Sequence, residues 1–497
     1  MSGYPRPRSV AARPLSELAA GLSVSGSAVV SGDADVTGVT LASQEVRPGD
    51  LYAALPGARR HGAEFIAAAK AAGAVAVLTD ERGGEEAARV GLPAIVVPDP
   101  RGVLGGVAAT VYGNPTERLR VIGVTGTNGK TSTAYLIESG LIAAGRVTGM
   151  IGTVATRVGD EVLASVRTTP EAPDLQGLFA YALERGVTDV VMEVSSHALA
   201  QGRVDGTTFA VGGFTMFGVD HLDFHDGMDE YFAAKAMLFD GRCRAEVVNA
   251  DDEWARRLLK PSTVTYSMLD AGAAWFAAGV LGEGFDQTFT VRGPGLELPG
   301  AVRLPGRHNV ANALLAIAAL TEVGVDPAVA VAGVAACPGV PGRMEKVGDG
   351  RVLGVVDYAH KPDAIVAVLA ALRDITPGRL IAVIGAGGDR DQGKRVLMGE
   401  AAARGADLVI VTDDNPRTED PASIRAMVID GVTAADGGQY AELGGRAEAI
   451  AEAVSRARAG DTVAVLGKGH EQGQEIDGRV VPFDDRLVLG AALEAAK

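Results

Sequence analysis

A chain of 497 residues is too long for one hydrophobic core, and 47% apolar with 22% charged residues is the composition of a globular protein of two to four domains. Its 62 acidic against 46 basic residues leave a net charge of −16, which excludes nucleic acid and anionic membrane as expected partners but leaves local Arg and Lys clusters able to hold small anions. Cys243 and Cys337 are too few and too far apart for a disulfide framework or a Cys-based metal site, and the lack of a long apolar run or signal-like segment predicts a cytoplasmic protein without membrane insertion.

In chain order, residues 1–15 are basic and proline-containing and are expected to form a disordered leader. From 16 to 117, DLYAALPG and AVAVLT read as strands and EFIAAAKAAGA as a helix, a smaller N-terminal α/β domain. GNPTERL (113–119) marks the junction to a second domain, 118–338, where VIGVT, VVMEV, FAVGGFTMF and AEVVNA are short β-branched strands alternating with helices. Such alternation predicts a mostly parallel sheet with ligand groups at the C-terminal strand ends. Residues 271–305 differ, being alternating and Gly/Pro-punctuated, and predict a small antiparallel patch ahead of the helix NVANALLAIAALTEVG. CPGVPGR (337–343) leads into a third domain, 339–497, whose strands LGVVDY, LIAVIGAGG, DLVIVTDD and DTVAVLGKG each end in a polar or Gly-rich turn.

The organising stretch is VIGVTGTNGKTST (121–133), a strand, a tight polar turn and a helix start. Free backbone N–H groups at such a helix N-terminus point into the turn and hold phosphate. Lys130 supplies a point charge for the terminal phosphates, and Thr131 a hydroxyl for a phosphate-bound Mg²⁺. Val124 stands where the strict G-x-x-x-x-G-K-[ST] pattern has its first glycine.

Polar residues follow the other strands. Glu193 closes VVMEV, and DHLDFH places Asp220, His221, Asp223 and His225 after the next strand. A carboxylate from one strand and an imidazole from its neighbour suit a divalent ion beside the phosphate loop, although helix capping and a satisfied histidine explain DHLDFH equally well. Lys235 reads on its own as a helix-face charge. Asn249, Asp251 and Asp252 end another strand, and His308, Asn309 and Asn312 open a helix, where amides serve to read an adenine edge or to cap. In the last third, Arg390 and Arg417 suit bidentate carboxylate recognition, and four polar strand ends in one domain point to one crevice.

In this order, TGTNGKTS, EVSSHAL, DHLDFH, FAAKA, DYAHKPDA, GGDRDQGKR, DDNPR and GKGHE resemble the Mur ligase family, and within it the tripeptide-forming synthetases of peptidoglycan synthesis. The resemblance implies an α/β protein of three domains: a uridine-nucleotide-binding N-terminal domain, a central P-loop-type ATPase with a mostly parallel sheet, and a Rossmann-like C-terminal domain that receives the amino acid. It implies that ATP phosphorylates the D-Glu carboxylate of UDP-MurNAc-L-Ala-D-Glu and that an amine attacks the acyl phosphate, with Mg²⁺ as cofactor. A monomer acting on small-molecule substrates is expected.

By the same resemblance, Lys130, Glu193, His221 and Lys235 are catalytic. Thr125, Gly126, Thr127, Asn128, Gly129, Lys130, Thr131 and Ser132 bind ATP, with Asn312 near the adenine, Asp357 at the ribose, and Arg343 and His360 near the phosphates. Thr131, Glu193, His221 and a carbamylated Lys235 surround the metal, because a carbamate replaces a repelled ammonium with negative charge. Ser43, Thr168, Thr169, Ser195, Gln201 and Arg203 hold the uridine-linked dipeptide. Arg390, Asp414, Asn415, Pro416, Arg417, Gly467 and Glu471 hold diaminopimelate, whose second carboxylate Arg417 clamps; L-lysine lacks that carboxylate. The family's D-S-R reads Ala42-Ser43-Gln44 here, its T-N-L reads Thr215-Met216-Phe217, and Val219 replaces a polar residue. An L-lysine-adding ligase, a folylpolyglutamate synthase and a catalytically silent nucleotide-binding homologue are the competing readings.

Overall fold

The computed structural model describes residues 3–22, 28–57, 59–221, 224–348, 350–435 and 438–496, with Glu283 described by its backbone alone. Asp223 of the DHLDFH stretch lies outside the described residues. The chain forms two compact units, Met1–Phe276 with Leu314–Val334, and Ala277–Ala313 with Ala335–Lys497.

Among the described residues the first unit holds a five-stranded sheet and a larger one, beside the short antiparallel pair of Arg13–Pro14 with Asp35–Val36. The five-stranded one runs Val29–Ser31, Ala94–Val96, Ala76–Thr79, Asp50–Ala54, Gly38–Thr40, parallel except at the Val29–Ser31 edge. Asp50–Ala54 is buried along its whole length: Leu51 and Ala53 pack to one side, Tyr52 and Ala54 to the other. A strand covered on both faces needs a continuous apolar run, as DLYAALPG supplies.

The larger sheet places Arg120–Thr125 between Asp189–Glu193 and Phe209–Phe214, parallel to both, with Cys243–Asn249 and Val264–Ser267 continuing on one side. On the other side Thr148–Ile151 is parallel, and the short hairpin Thr156–Val158 and Glu161–Leu163 is antiparallel. The phosphate-loop strand is therefore central, where its C-terminal end is flanked by two neighbours. Behind it, Leu315 and Leu320 pack against Gly213 and Gly140, and Ala313–Leu320 is apolar and fully buried, a helix segment with no solvent face.

The expected leader is corrected over its described part. Arg6 bonds both carboxylate oxygens of Asp50 at 2.8 Å, the Arg8 and Ser9 amides donate to Glu184 at 2.9–3.3 Å, and Tyr4 packs on the central core. Arg13–Pro14 pairs antiparallel with Asp35–Val36. The basic, proline-containing composition looks like disorder, but its charges find carboxylates fixed by later parts of the chain.

In the second unit, Asp286–Gly293 and Leu296–Val302 form the antiparallel patch expected in 271–305. The six-stranded sheet runs Glu345–Val347, Leu353–Asp357, Thr462–Leu466, Leu380–Ile384, Leu408–Val411, Tyr440–Glu442, with only the first strand antiparallel. The last parallel strand of the chain but one place from the first creates a switch in strand order, and ligand crevices form at the C-terminal ends beside such a switch.

Candidate active site

In the first unit the strand Arg120–Thr125 passes into the turn 126–129 and the helix Lys130–Ala143. Gly126 has φ of 138°, and a Cβ there would overlap the Thr215 hydroxyl, so only glycine fits. Neighbouring backbone braces the turn: Thr127 N donates to Met216 O at 2.8 Å, and the Thr215 hydroxyl to Asn128 O at 2.6 Å. The Met216 departure thus leaves the backbone support of the loop in place. Lys130 Nζ lies on the loop, donating to the carbonyls of Gly126 and Thr127 at 2.9 and 3.0 Å.

Glu193 is 2% exposed and its carboxylate is the hub of the site. It accepts from the Thr131 hydroxyl at 3.0 Å, the Thr153 amide at 2.8 Å and the Thr153 hydroxyl at 3.2 Å. Thr153 also bonds Thr168 at 2.9 Å, and the Thr169 hydroxyl donates to Glu193 O at 2.9 Å. One carboxylate therefore joins the phosphate-loop helix to the segment carrying Thr168 and Thr169. Thr153 escaped the sequence reading, although it follows the strand Thr148–Ile151 as Glu193 closes its own.

Lys235 is 1% exposed and is not the surface charge that its helix position suggests. Its Nζ donates to Gly126 O at 2.8 Å and lies 4.6 Å from the centre of the Tyr231 ring. Burial raises the Tyr231 phenol, whose hydroxyl is 3.2 Å from that of Thr127. His221, in left-handed backbone with φ of 51°, pairs with Asp220 at 3.1 Å and meets His197 edge-on at 4.6 Å. His225 is buried with Nε2 at 3.1 Å from the Ser196 hydroxyl, while its Nδ1 makes no hydrogen bond and lies 3.7 Å from Glu230, so one ring nitrogen is satisfied and the other is not.

Among the described residues no three His, Cys, Asp or Glu side chains group closely enough to hold a metal ion. The donors that do meet, a buried carboxylate and a hydroxyl at the first turn of a phosphate-type loop, are hard oxygens. They suit Mg²⁺, which takes one or two protein ligands and completes its shell with phosphate and water.

Ser195 caps the helix Ser196–Ala200, its hydroxyl accepting from Ala198 N at 3.2 Å, and approaches the Thr169 hydroxyl at 3.5 Å. Arg203 donates to Gln201 Oε1 at 2.6 Å and Thr169 O at 3.3 Å. Ser43 is elsewhere in this unit, on a 3₁₀ turn with Gln44 beside it at 3.3 Å.

In the second unit, Asp357 ends its strand and accepts the amides of Met344 and Ala359 at 2.7 Å each; burial raises its carboxyl even beside Arg343. The Arg343 guanidinium lies 4.5 Å from the Tyr358 ring centre. His360 holds Tyr358 O at 2.7 Å, and burial pushes its imidazole down to about 3, so it is neutral at physiological pH. Gly342 packs on the backbone of Gly469 and His470 too closely for any Cβ. Arg343, Asp357, His360 and the Gly467–Glu471 turn are thereby neighbours. Asn312 stays with its own helix, donating to Asn309 at 3.1 Å.

Arg390 and Arg417 flank Gly387: an added Cβ there would lie 3.8 Å from Arg390 Cγ and 3.1 Å from Arg417 Nη1. Arg390 is exposed. Arg417, again left-handed at φ 52°, pairs through Nε with Glu475 at 3.0 Å and donates through Nη1 to Gly388 O at 2.6 Å. Glu475 was not foreseen, since nothing in its local sequence distinguishes it. Asp414 is buried, with its carboxyl raised by that burial, and lies against Gly467. Asn415, Lys468 and Glu471 bond one another at 2.9–3.1 Å, and Pro416 is buried beside them. Lys468 is 0% exposed and was also missed; it sits inside GKGHE between residues that the reading did name.

Three family patterns match the chain in order: "Mur ligase family, catalytic domain" at residues 35–112, "Mur ligase middle domain" at 124–320, and "Mur ligase, glutamate ligase domain" at 342–469. The UDP-N-acetylmuramoyl-L-alanyl-D-glutamate--2,6-diaminopimelate ligase of Streptomyces coelicolor is 55% identical over 99% of this chain and 98% of its own length. The chain belongs to the Mur ligase family. A solved structure of a UDP-N-acetylmuramoyl-L-alanyl-D-glutamate--2,6-diaminopimelate ligase is 34% identical, covers 93% of this chain and 95% of that one, and gives a TM-score of 0.68. A MurF ligase from Thermotoga maritima, solved in complex with ADP, shares the Mur ligase fold at 19% identity, covering 93% and 97% of the two chains with a TM-score of 0.60. Within this Mur ligase, no helix among the described residues is long and apolar enough to cross a membrane.

Proposed function

We propose that this Mur ligase is an ATP-dependent amide ligase that joins diaminopimelate to the D-Glu carboxylate of UDP-MurNAc-L-Ala-D-Glu in peptidoglycan synthesis. The observation that carries the reading is the Glu193 carboxylate held against Thr131 at the mouth of the phosphate loop. The 55% identity to a ligase of that name supports the choice of substrates.

The turn 126–129 and the N-terminus of Lys130–Ala143 receive the ATP phosphates, and Lys130 stabilises charge as the terminal phosphoryl group moves to the substrate carboxylate. Thr131 and Glu193 would hold Mg²⁺, with His221 and a carbamylated Lys235 completing its surroundings as the family resemblance implies. When bound, the ion neutralises charge developing on the transferred phosphoryl group. Thr168, Thr169, Ser195, Gln201 and Arg203 orient the uridine-linked dipeptide so that its carboxylate faces the phosphate loop, and Ser43 supports the uridine end. Once the acyl phosphate forms, the amine attacks its carbonyl, phosphate leaves, and the nitrogen gives up a proton.

Asp357 of the C-terminal domain accepts from the ribose hydroxyls, Arg343 and the neutral His360 attend the phosphates, and Asn312 of the central domain reads the adenine. Arg390 and Arg417 take the two carboxylates of diaminopimelate, while Asp414, Gly467 and Glu471 receive its amino groups among Asn415 and Pro416. The domains of this reading are 16–117, 118–338 and 339–497, and the order of the family patterns, at 35–112, 124–320 and 342–469, supports three domains in that sequence. It describes a cytoplasmic monomer whose substrates are all small and water-soluble.

The test is phosphate release and product mass with ATP, Mg²⁺ and UDP-MurNAc-L-Ala-D-Glu plus either diaminopimelate or L-lysine. Product with diaminopimelate alone is expected. Phosphate release with neither amino acid refutes the ligase reading, and product with lysine alone refutes the assignment of Arg417.

A further inference from the structure

Glu171 is the N-cap residue of the helix Ala172–Glu184, a position whose side-chain oxygen ordinarily accepts a helix amide, yet its side chain makes no such bond. Its carboxylate faces three guanidiniums instead. Arg203 Nε lies at 2.9 Å, Arg167 Nη1 at 3.0 Å and Arg101 Nη1 at 3.4 Å. Glu171 and Arg203 are the inner pair, with side chains 17% and 11% exposed, while Arg101 and Arg167 stand at 40% and 51% on the rim. Arg203 Nε makes an ion pair but no hydrogen bond with Glu171, while Nη1 and Nη2 each spend one of two hydrogens, on Thr169 O and Gln201 Oε1, and Arg101 reaches Gln201 O at 3.4 Å.

Three positive charges meet Glu171 and, close enough to feel both Glu171 and Arg167, Asp174, which leaves one positive charge in excess beside the threonine segment that Glu193 ties to the phosphate loop. An excess of guanidinium there attracts a carboxylate. Without a resident carboxylate, Arg101 and Arg167 would repel Arg203 at short range in a partly dehydrated setting. Burial already disfavours the charged form of Arg203, and the Glu171 charge opposes that effect.

We propose that Glu171 is a positioning residue: it holds Arg203 against Thr169 and Gln201, where, with Arg101 and Arg167 as a positive rim, the guanidinium receives a carboxylate of the uridine-linked dipeptide. This rests on the function proposed above and adds Glu171, Arg101 and Arg167 to the dipeptide site.

The test is steady-state kinetics on the full-length protein. Glu171→Gln raises the KM for UDP-MurNAc-L-Ala-D-Glu about tenfold and leaves the KM for ATP within about twofold, because only the oriented cation is lost. Glu171→Asp, which keeps the charge, recovers most of that loss. UDP-N-acetylglucosamine, with a diphosphate and no carboxylate, inhibits wild type and Glu171→Gln equally. An unchanged or lowered dipeptide KM overturns the proposal, as does a parallel rise in every KM with a lowered melting temperature, which marks a structural role. Weakened inhibition by UDP-N-acetylglucosamine in the variant also overturns it, by assigning the anion to the diphosphate. If wild type itself forms no product, the ligase reading fails; if wild type turns over and the variants match it, this inference alone fails.

Discussion

Replacing Glu193 by glutamine separates its structural work from its chemistry. The carboxylate takes three donors, the Thr131 hydroxyl, the Thr153 amide and the Thr153 hydroxyl, at 3.0, 2.8 and 3.2 Å. In the variant the carboxamide oxygen keeps the Thr153 amide, and the new NH₂ faces two hydroxyls that can rotate to accept from it. The Thr153 hydroxyl can then donate its hydrogen to Thr168, so the stability lost is mainly the difference between charge-assisted and neutral bonds, on the order of 1–3 kcal/mol in all. Under the proposed function the reaction loses the carboxylate assigned to the metal beside the phosphate loop, worth about 4 kcal/mol in the transition state, or about 10³-fold in kcat. The assay is phosphate release at saturating substrates, alongside thermal unfolding followed by circular dichroism. A shift of a few degrees with activity nearly abolished is expected. A folded variant that keeps more than about a tenth of its kcat refutes the place given to Glu193, since several kcal/mol cannot be removed at so small a cost.

Lys235→Ala is expected to abolish turnover, with added small carboxylates restoring part of it by standing in for the proposed carbamate; full activity without them returns Lys235 to a structural role. Arg417→Lys keeps the charge but not the fork that spans Glu475 and Gly388 O, and it raises the KM for diaminopimelate about tenfold or more with the KM for ATP unchanged. Equal effects on both would assign Arg417 to folding. Asp174→Asn tests a pH effect. Burial first, and the nearby Glu45 second, push the Asp174 carboxyl up to about 6 from an ordinary 3.8. Between those values the folded protein keeps a proton that the unfolded chain has lost, so stability falls as pH rises through that window and the penalty is complete above about pH 6. The asparagine variant is therefore more stable than wild type at pH 7, by on the order of 1–3 kcal/mol, and equal to it below about pH 4. Denaturant unfolding at the two pH values measures this, and an equal gain at both points to packing instead of charge.

The strands and the phosphate loop were legible because their signals are local. A β-branched run covered on both faces, such as Asp50–Ala54, and a glycine forced to φ of 138°, such as Gly126, declare themselves within a few residues. The family motifs added what the residues alone left open, above all at Lys235, which reads as a surface charge and is buried against the phosphate loop.

Sequence order, periodicity and turn chemistry determined the strands, their parallel character, the antiparallel patch and the polar strand ends. Only the tertiary structure decided which charge meets which. It tied Arg6 to Asp50, 44 residues away, and so turned an apparent leader into an attached arm. It gave Arg417 the partner Glu475, set Thr153 on Glu193, and gathered three arginines around Glu171. The reason is physical: hydrophobic period fixes which face of an element is buried, whereas an ion pair depends on where distant loops come to rest, and that is settled by packing of the whole chain.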